Sequence, residues 1–283
     1  MRTRRALLVC AVLGLALVGG IWLQQTRAQD PAQPTGETPG LGQQGGSGPQ
    51  TRWQALTNGD TQARVEALVM LCNSGRVDAE GLQAILQCLG DPDEQVRSLA
   101  ATALGSMGDR AAEAVPALVE CLSDDSPRVR SQAAQALQMI GDASVPAVPE
   151  LVRCLRDPEP VVRMTSALAL ANIGAEPAQV LPEVAKLLSD PDPTVRVAAA
   201  GCLGRLGRPD LAIPVLKEAL GDAQASVRAN AAASLAGMGP DALPAVPDLS
   251  ACLADPDPMV RGQAAAALRQ ISPGAAASTP ALP

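Results

Sequence analysis

From residue 51 onward, apolar side chains recur at helical spacing in short paired runs separated by turns. One stretch shows the grammar. Leu118, Cys121 and Leu122 stand at i, i+3 and i+4, which gives a first helix, A, one apolar face. Val115-Pro116 opens that helix, because the N–H that proline lacks would be unbonded in the first turn anyway. Asp124-Asp125 turns the chain. Ser126 then caps a second helix, B, and Pro127 starts it. Its buried stripe is Val129, Ala133, Ala134, Leu137 and Ile140, and Gly141 closes it in a left-handed turn.

The same grammar returns along the chain. The helix B cap is Asp60, Asp93, Ser126, Glu159, Asp192, Gln224 and Asp257. The mid-helix leucine is Leu71, Leu104, Leu137, Leu170, Leu203, Leu235 and Leu268. The closing glycine is Gly75, Gly108, Gly141, Gly174, Gly207 and Gly239, with Ser272 in the last unit. An arginine stands at Arg64, Arg97, Arg130, Arg163, Arg196, Arg228 and Arg261, with steps of 33 residues except for one of 32, between Arg196 and Arg228. Six residues before each of the last six stands Asp91, Asp124, Asp157, Asp190, Asp222 or Asp255. A period near 33 over most of a chain predicts an all-α solenoid, in which each unit touches only its neighbours. Seven hairpins are expected, the first with a shortened helix A around Trp53.

The pattern Asp157-Pro158, Val162-Arg163, Ala167, Leu170 and Ile173-Gly174 resembles the short HEAT-like repeat of the phycobilisome-lyase type, over roughly residues 51–272. The resemblance implies a superhelical stack with the B helices on its concave side. It also implies that each turn aspartate binds backbone amides and the arginine of an adjacent unit. The expected structural ladder is therefore Asp91, Arg97, Asp124, Arg130, Asp157, Arg163, Asp190, Arg196, Asp222, Arg228, Asp255 and Arg261. Catalytic dyads are the other reading of these pairs, but six pairs at one register suit a ladder, and an enzyme needs one site. Paired alanines at one offset, such as Ala100-Ala101 and Ala133-Ala134, let neighbouring helices approach closely.

Composition adds a leader and removes several chemistries. Residues 1–28 combine Arg2, Arg4 and Arg5 with the uncharged apolar run Ala6–Leu23 and the small-residue site Thr26-Arg27-Ala28. They read as a signal peptide or an N-terminal membrane anchor, which places the protein outside the cytoplasm or on the outer side of the cytoplasmic membrane. Residues 29–50 are a Gly/Pro/Gln-rich linker expected to be disordered, and 273–283 a disordered tail. The net charge is −7; without the four arginines of the leader, 18 basic residues face 29 acidic ones, giving −11. Phosphate backbones repel such a body, and the chain has no Phe or Tyr on which bases could stack, so no nucleic-acid partner is expected.

Histidine is absent, which removes the commonest general base and metal ligand. The only lysines, Lys186 and Lys217, fall on ordinary repeat positions. Asp91-Pro92-Asp93, Asp190-Pro191-Asp192 and Asp255-Pro256-Asp257 lack EF-hand spacing. Cys88, Cys121, Cys154 and Cys252 share a core slot, and about 10 Å between units exceeds the ~7 Å a disulfide spans. No catalytic residue, cofactor or metal site is therefore expected, and the chain reads as non-enzymatic.

On a helical wheel, the side of helix B opposite the core carries Leu99, Thr102 and Ser106, then Gln132, Gln135 and Met139, then Thr165, Leu168 and Asn172. Further on, Arg205 follows Ala198 and Gly201. The candidate partner-binding residues are Leu99, Gln132, Gln135, Met139, Thr165, Leu168, Asn172 and Arg205. A solvated face normally carries Glu and Lys, so this uncharged strip suggests docking of a protein or peptide on the concave face. Alanine-rich helix filling is the other account. The sequence thus reads as an exported or anchored scaffold, with membrane contact only through the leader. The alternative is a lyase-like or chaperone protein that handles a cofactor on a client.

Overall fold

A computed structural model describes residues 49–74 and 77–272, all helix, turn and bend, with no strand among them. The leader (1–28), the linker up to residue 48, Gly75 and the tail (273–283) lie outside the described residues. From Pro49 onward the described residues belong to one compact unit.

Seven hairpins follow one another, and the odd-numbered helix of each is the shorter or more irregular. They are α1 (Pro49–Asn58) with α2 (Thr61–Ser74), α3 (Ala79–Cys88) with α4 (Glu94–Ser106), and α5 (Val115–Cys121) with α6 (Pro127–Ile140). Next come α7 (Val148–Cys154) with α8 (Pro160–Leu170), and α9 (Pro177–Lys186) with α10 (Pro193–Arg205). Last are α11 (Pro209–Ala219) with α12 (Ala225–Met238), and α13 (Val246–Ala251) with α14 (Pro258–Ile271). The even helices pack each on the next as one continuous layer, and the odd helices lie on its other side.

Local chemistry explains most boundaries. Asp93, Asp192 and Asp257 accept hydrogen bonds from the second and third amides of their helices. Ser126, Glu159 and Gln224 hold the same position without a side-chain cap. In both groups the aspartate two residues earlier holds the amide of the cap residue itself, as Asp124 Oδ1 does Ser126 N–H at 2.9 Å and Asp91 Oδ1 does Asp93 N–H at 2.9 Å. Gly108, Gly141, Gly174, Gly207 and Gly239 all have positive φ, from 57° to 79°, which favours glycine at these helix ends.

Two features depart from the sequence reading. Between hairpins, Gly108–Ala114, Gly141–Ala147 and Gly239–Ala245 form 3-10 turns that lead into the odd helices. Helix α1 also begins at Pro49, inside the expected linker, and at ten residues is longer than α5 or α7. The first odd helix is therefore not shortened. Of the later ones, α5, α7 and α13 split their length between a leading 3-10 turn and an α-helix.

The core runs the length of the stack. Leu104, Leu137, Leu170, Leu203 and Leu235 are fully buried, each contributing about 1.5–3 kcal/mol of transfer free energy. Between even helices the fit is close: a Cβ on Gly105 would lie 2.9 Å from Ala136 Cα. Trp53 is buried at the first hairpin, its indole lying where a Gly81 side chain would be.

All six described cysteines are free. Sγ of Cys154 donates to the carbonyl of Leu122 in the preceding hairpin at 3.6 Å, and Cys88 and Cys252 make longer contacts of the same kind. Burial pushes Cys88 and Cys121 up to about 11 and Cys202 up to about 12, so these thiols are protonated and unreactive at neutral pH. Among the described residues no group of three or more Cys, Asp or Glu could hold a metal ion. Likewise, no described helix is long and apolar enough to cross a membrane.

Candidate functional site

Each turn aspartate does three jobs. Its backbone N–H closes the odd helix, as Asp124 N–H does on Cys121 O at 3.2 Å. Its Oδ1 accepts the amide two residues on. Its own carbonyl accepts Nη1 of the arginine six residues later, at 2.8 Å for Arg97 on Asp91. The carboxylate, however, belongs to the arginine of the preceding hairpin, 27 residues back. Arg97 Nε and Nη2 donate to Asp124 Oδ2 and Oδ1 at 2.8 and 2.9 Å. Arg130 holds Asp157 at 2.7 and 2.8 Å. Arg163 holds Asp190, and Arg228 holds Asp255, each at 2.8 Å twice. Arg64 reaches Asp91, with Nη2 donating at 3.3 Å; its Nε, 2.8 Å away, points off the bond line.

The planar guanidinium suits this double task, because one edge forks the carboxylate while the remaining nitrogen serves its own turn. For Asp124 and Asp190, burial opposes ionisation, but bonds from Arg97 or Arg163 and from a backbone amide outweigh it and lower both carboxyls. The same hydrogen bonds raise Arg97, Arg130 and Arg163 above the usual guanidinium range.

The structure does not join Arg196 to Asp222. Arg196 Nη1 keeps its bonds to Asp190 O and Pro191 O at 2.9 and 3.2 Å, yet Arg196 forms no ion pair among the described residues. This seam holds the one short step in the repeat. From the closing glycine to the proline of the odd helix is eight residues in its neighbours (Gly174 to Pro182, Gly239 to Pro247) but seven from Gly207 to Pro214. Helix α11 keeps its apolar face in register with its turn: Leu216 and Leu220, six and two residues before Asp222, are buried as Leu118 and Leu122 are before Asp124. Asp222 makes no bond to Arg196; its Oδ1 accepts the Gln224 amide at 2.8 Å. Arg261 keeps its two carbonyl bonds to Asp255 and Pro256.

The strip residues lie on the even-helix layer. Leu99, Gln132, Gln135, Met139, Thr165, Leu168 and Asn172 are half-buried, and Arg205 is exposed. Several engage one another between hairpins: Thr102 Oγ1 donates to Gln132 Oε1 at 2.9 Å, and Arg205 Nη1 donates to Asn172 Oδ1. Met139 Sδ lies beside Gly105. These contacts between hairpins were not legible, since the wheel treats each helix alone. On the ladder edge, a cleft of about 520 Å³ is lined by Ser123, Asp124, Arg130, Arg153, Arg156 and Asp157, among others. Its cations are engaged. Arg153 pairs with Glu150 and donates to Ser123, and Arg156 pairs with Glu183.

Solved structures resemble this one. One is the complex of CpcE and CpcF of phycocyanin lyase from Nostoc sp. PCC7120, at 24% identity and TM-score 0.62, covering 84% of this chain and 92% of that one. Another is Kap95p bound to RanGDP, at 17% identity and TM-score 0.55, covering 78% of this chain and 35% of that one. Both likenesses are of fold. The first corrects the non-enzymatic expectation: a stack of this kind forms part of a lyase, so the fold does not exclude an enzyme. Lack of histidine removes one general base but leaves carboxylates, guanidinium groups and thiols. No curated protein matches the sequence. HEAT repeats match residues 49–138, 82–171, 148–236 and 213–282, which together span every described hairpin, so the chain belongs to the HEAT repeat family.

Proposed function

We propose that this HEAT solenoid binds a protein or peptide client through the face of its even helices, the side that curves inward in such stacks. The observation that carries the reading is the strip itself. From Leu99 to Asn172 it holds Leu, Gln, Met, Thr and Asn but no charge, across α4, α6 and α8. A purely solvated face would carry charge, and a filled core would be fully buried. Residues 1–28 support export or anchoring of the solenoid outside the cytoplasm. The test is affinity capture from the native envelope, followed by mass spectrometry. Leu168→Glu with Gln135→Glu should lose the client while the variant still folds and melts cooperatively; retention of every client would refute the reading.

A second reading is favoured by the likeness to phycocyanin lyase: the client carries a cofactor, and the chain handles its attachment. The strip would serve both readings, since both need a client. Incubating purified chain, the captured client stripped of its cofactor and that free cofactor together, then measuring absorbance of the repurified client, separates them. A new chromophore band would support attachment chemistry, and an unchanged spectrum would leave binding alone.

A further inference from the structure

We propose that Arg196 is a carboxylate-binding site, taking an aspartate or glutamate side chain from a partner peptide where other seams use the chain's own aspartate. The site lies on the ladder edge and does not depend on the even-helix face. The repeats supply the argument. In Arg97, Arg130, Arg163 and Arg228, Nη1 bonds two carbonyls of its own turn at 2.8–3.1 Å, which directs Nε and Nη2 at a carboxylate at 2.7–2.9 Å. Arg196 makes the same two carbonyl bonds, so its guanidinium is held in the same pose with the same edge presented. No carboxylate among the described residues bonds that edge, and this is the seam that carries the one 32-residue step, with seven residues instead of eight from Gly207 to Pro214. Asp222 stays half-exposed and bonded to the Gln224 amide at 2.8 Å.

Arg196 is also half-buried and already oriented. A ligand therefore does not have to freeze a mobile arginine, and the fork works partly shielded from water. Arg261 holds the same pose in the last described hairpin, but Arg196 has described hairpins on both sides. The ligand chemistry is written in the chain itself. The segment Leu188-Ser189-Asp190-Pro191-Asp192 presents its first aspartate to Arg163. A peptide of that sequence is the probe.

The experiment is a titration of the full chain, followed through the Nε–H signal of Arg196 by nuclear magnetic resonance. The wild-type signal should shift saturably with the peptide, and the same peptide with Asn at its first aspartate should bind about tenfold more weakly. Sodium acetate is the second arm. If acetate matches the peptide at equal carboxylate concentration, the site takes free carboxylates in general; if only the peptide acts, the source is a protein acid. Inserting one alanine after Arg208 restores the 33-residue step. It should bring Asp222 onto Arg196, move the signal without ligand and abolish the response. Should that variant not fold, the Asp-to-Asn peptide comparison decides alone. An Arg196 signal indifferent to both peptide and acetate, or equal response to the two peptides, overturns the proposal.

Discussion

Arginine-to-alanine substitutions at Arg163 and Arg196 should differ several-fold in cost, though the two residues occupy one repeat position. Arg163 and Asp190 side chains are only 12% and 6% exposed. Truncating Arg163 strands the Asp190 carboxylate on one amide, that of Asp192 at 3.0 Å, and frees the carbonyls of Asp157 and Pro158. Breaking a buried pair from one side costs about 3–5 kcal/mol, and residual water access trims this to about 2–4 kcal/mol. At about 2–4 °C per kcal/mol for a fold of this size, melting should fall by roughly 5–15 °C. Arg196→Ala strands no carboxylate and loses two carbonyl bonds, worth about 1 kcal/mol together. Thermal melts followed by circular dichroism compare the two, and Arg163→Ala with Asp190→Ala should recover part of the loss. Equal losses for the two single variants, or no loss for Arg163→Ala, would refute the ladder energetics.

Acid should weaken the stack. Asp124 and Asp190 titrate lower folded than unfolded, so their contribution is present above the usual carboxylate value of about 3.9 and disappears as pH falls through the lower folded value. Melting temperature should decline below about pH 4, and Asp190→Asn should flatten that decline; a wild type insensitive down to pH 2 would contradict it. Gly105→Ala forces α4 and α6 apart against a backbone atom 2.9 Å away and should cost about 1–3 kcal/mol in urea unfolding, whereas unchanged stability would show slack in the seam. Cys88, Cys121 and Cys202 should resist alkylation at pH 8 until denaturant is added, read peptide by peptide in the mass spectrometer; rapid native labelling would contradict their burial.

The hairpins were legible because helix period, cap and glycine recur together, and an error in one unit is corrected by the next. The direction of the ladder was not. An aspartate six residues before an arginine suggests a partner within the unit or on either side, and spacing alone cannot choose. Backbone geometry decides: the near arginine takes the aspartate's carbonyl, the one 27 residues back its carboxylate. Ser126 reads as a cap, yet its hydroxyl makes no capping bond, whereas Asp93 at the same position caps two amides. The 3-10 turns escaped notice because Pro146 and Pro244 look like breakers, whereas a 3-10 turn tolerates them. The wheel puts the strip opposite the core of a lone helix; in the stack most of its residues are half-buried, and their pairing across hairpins depends on how neighbouring helices are staggered.

The 32-residue step shows how a repeat can leave material for function. Every regular seam uses its charges completely: the guanidinium is shared between two turns, and the carboxylate is divided between an arginine and an amide. Such residues keep little bonding capacity for a ligand, so the five acid–base pairs in register serve the architecture. At the seam with one residue fewer, both turns keep their own bonds but the cross-hairpin pair is not made, leaving a positioned arginine and an aspartate held only by its own turn. The adjacent Arg208 is consumed by its own fork to Asp210, at 2.9 and 2.8 Å, so it does not serve as a substitute partner for Asp222. In a stack whose stability sums neighbour interfaces, weakening one seam leaves the others intact. A site built at that seam is therefore tolerated by the fold. Restoring the missing residue should exchange that site for stability: the inserted-alanine variant should melt higher than wild type, and a lower melting temperature in a folded variant would mean that the short step was already the better-packed one.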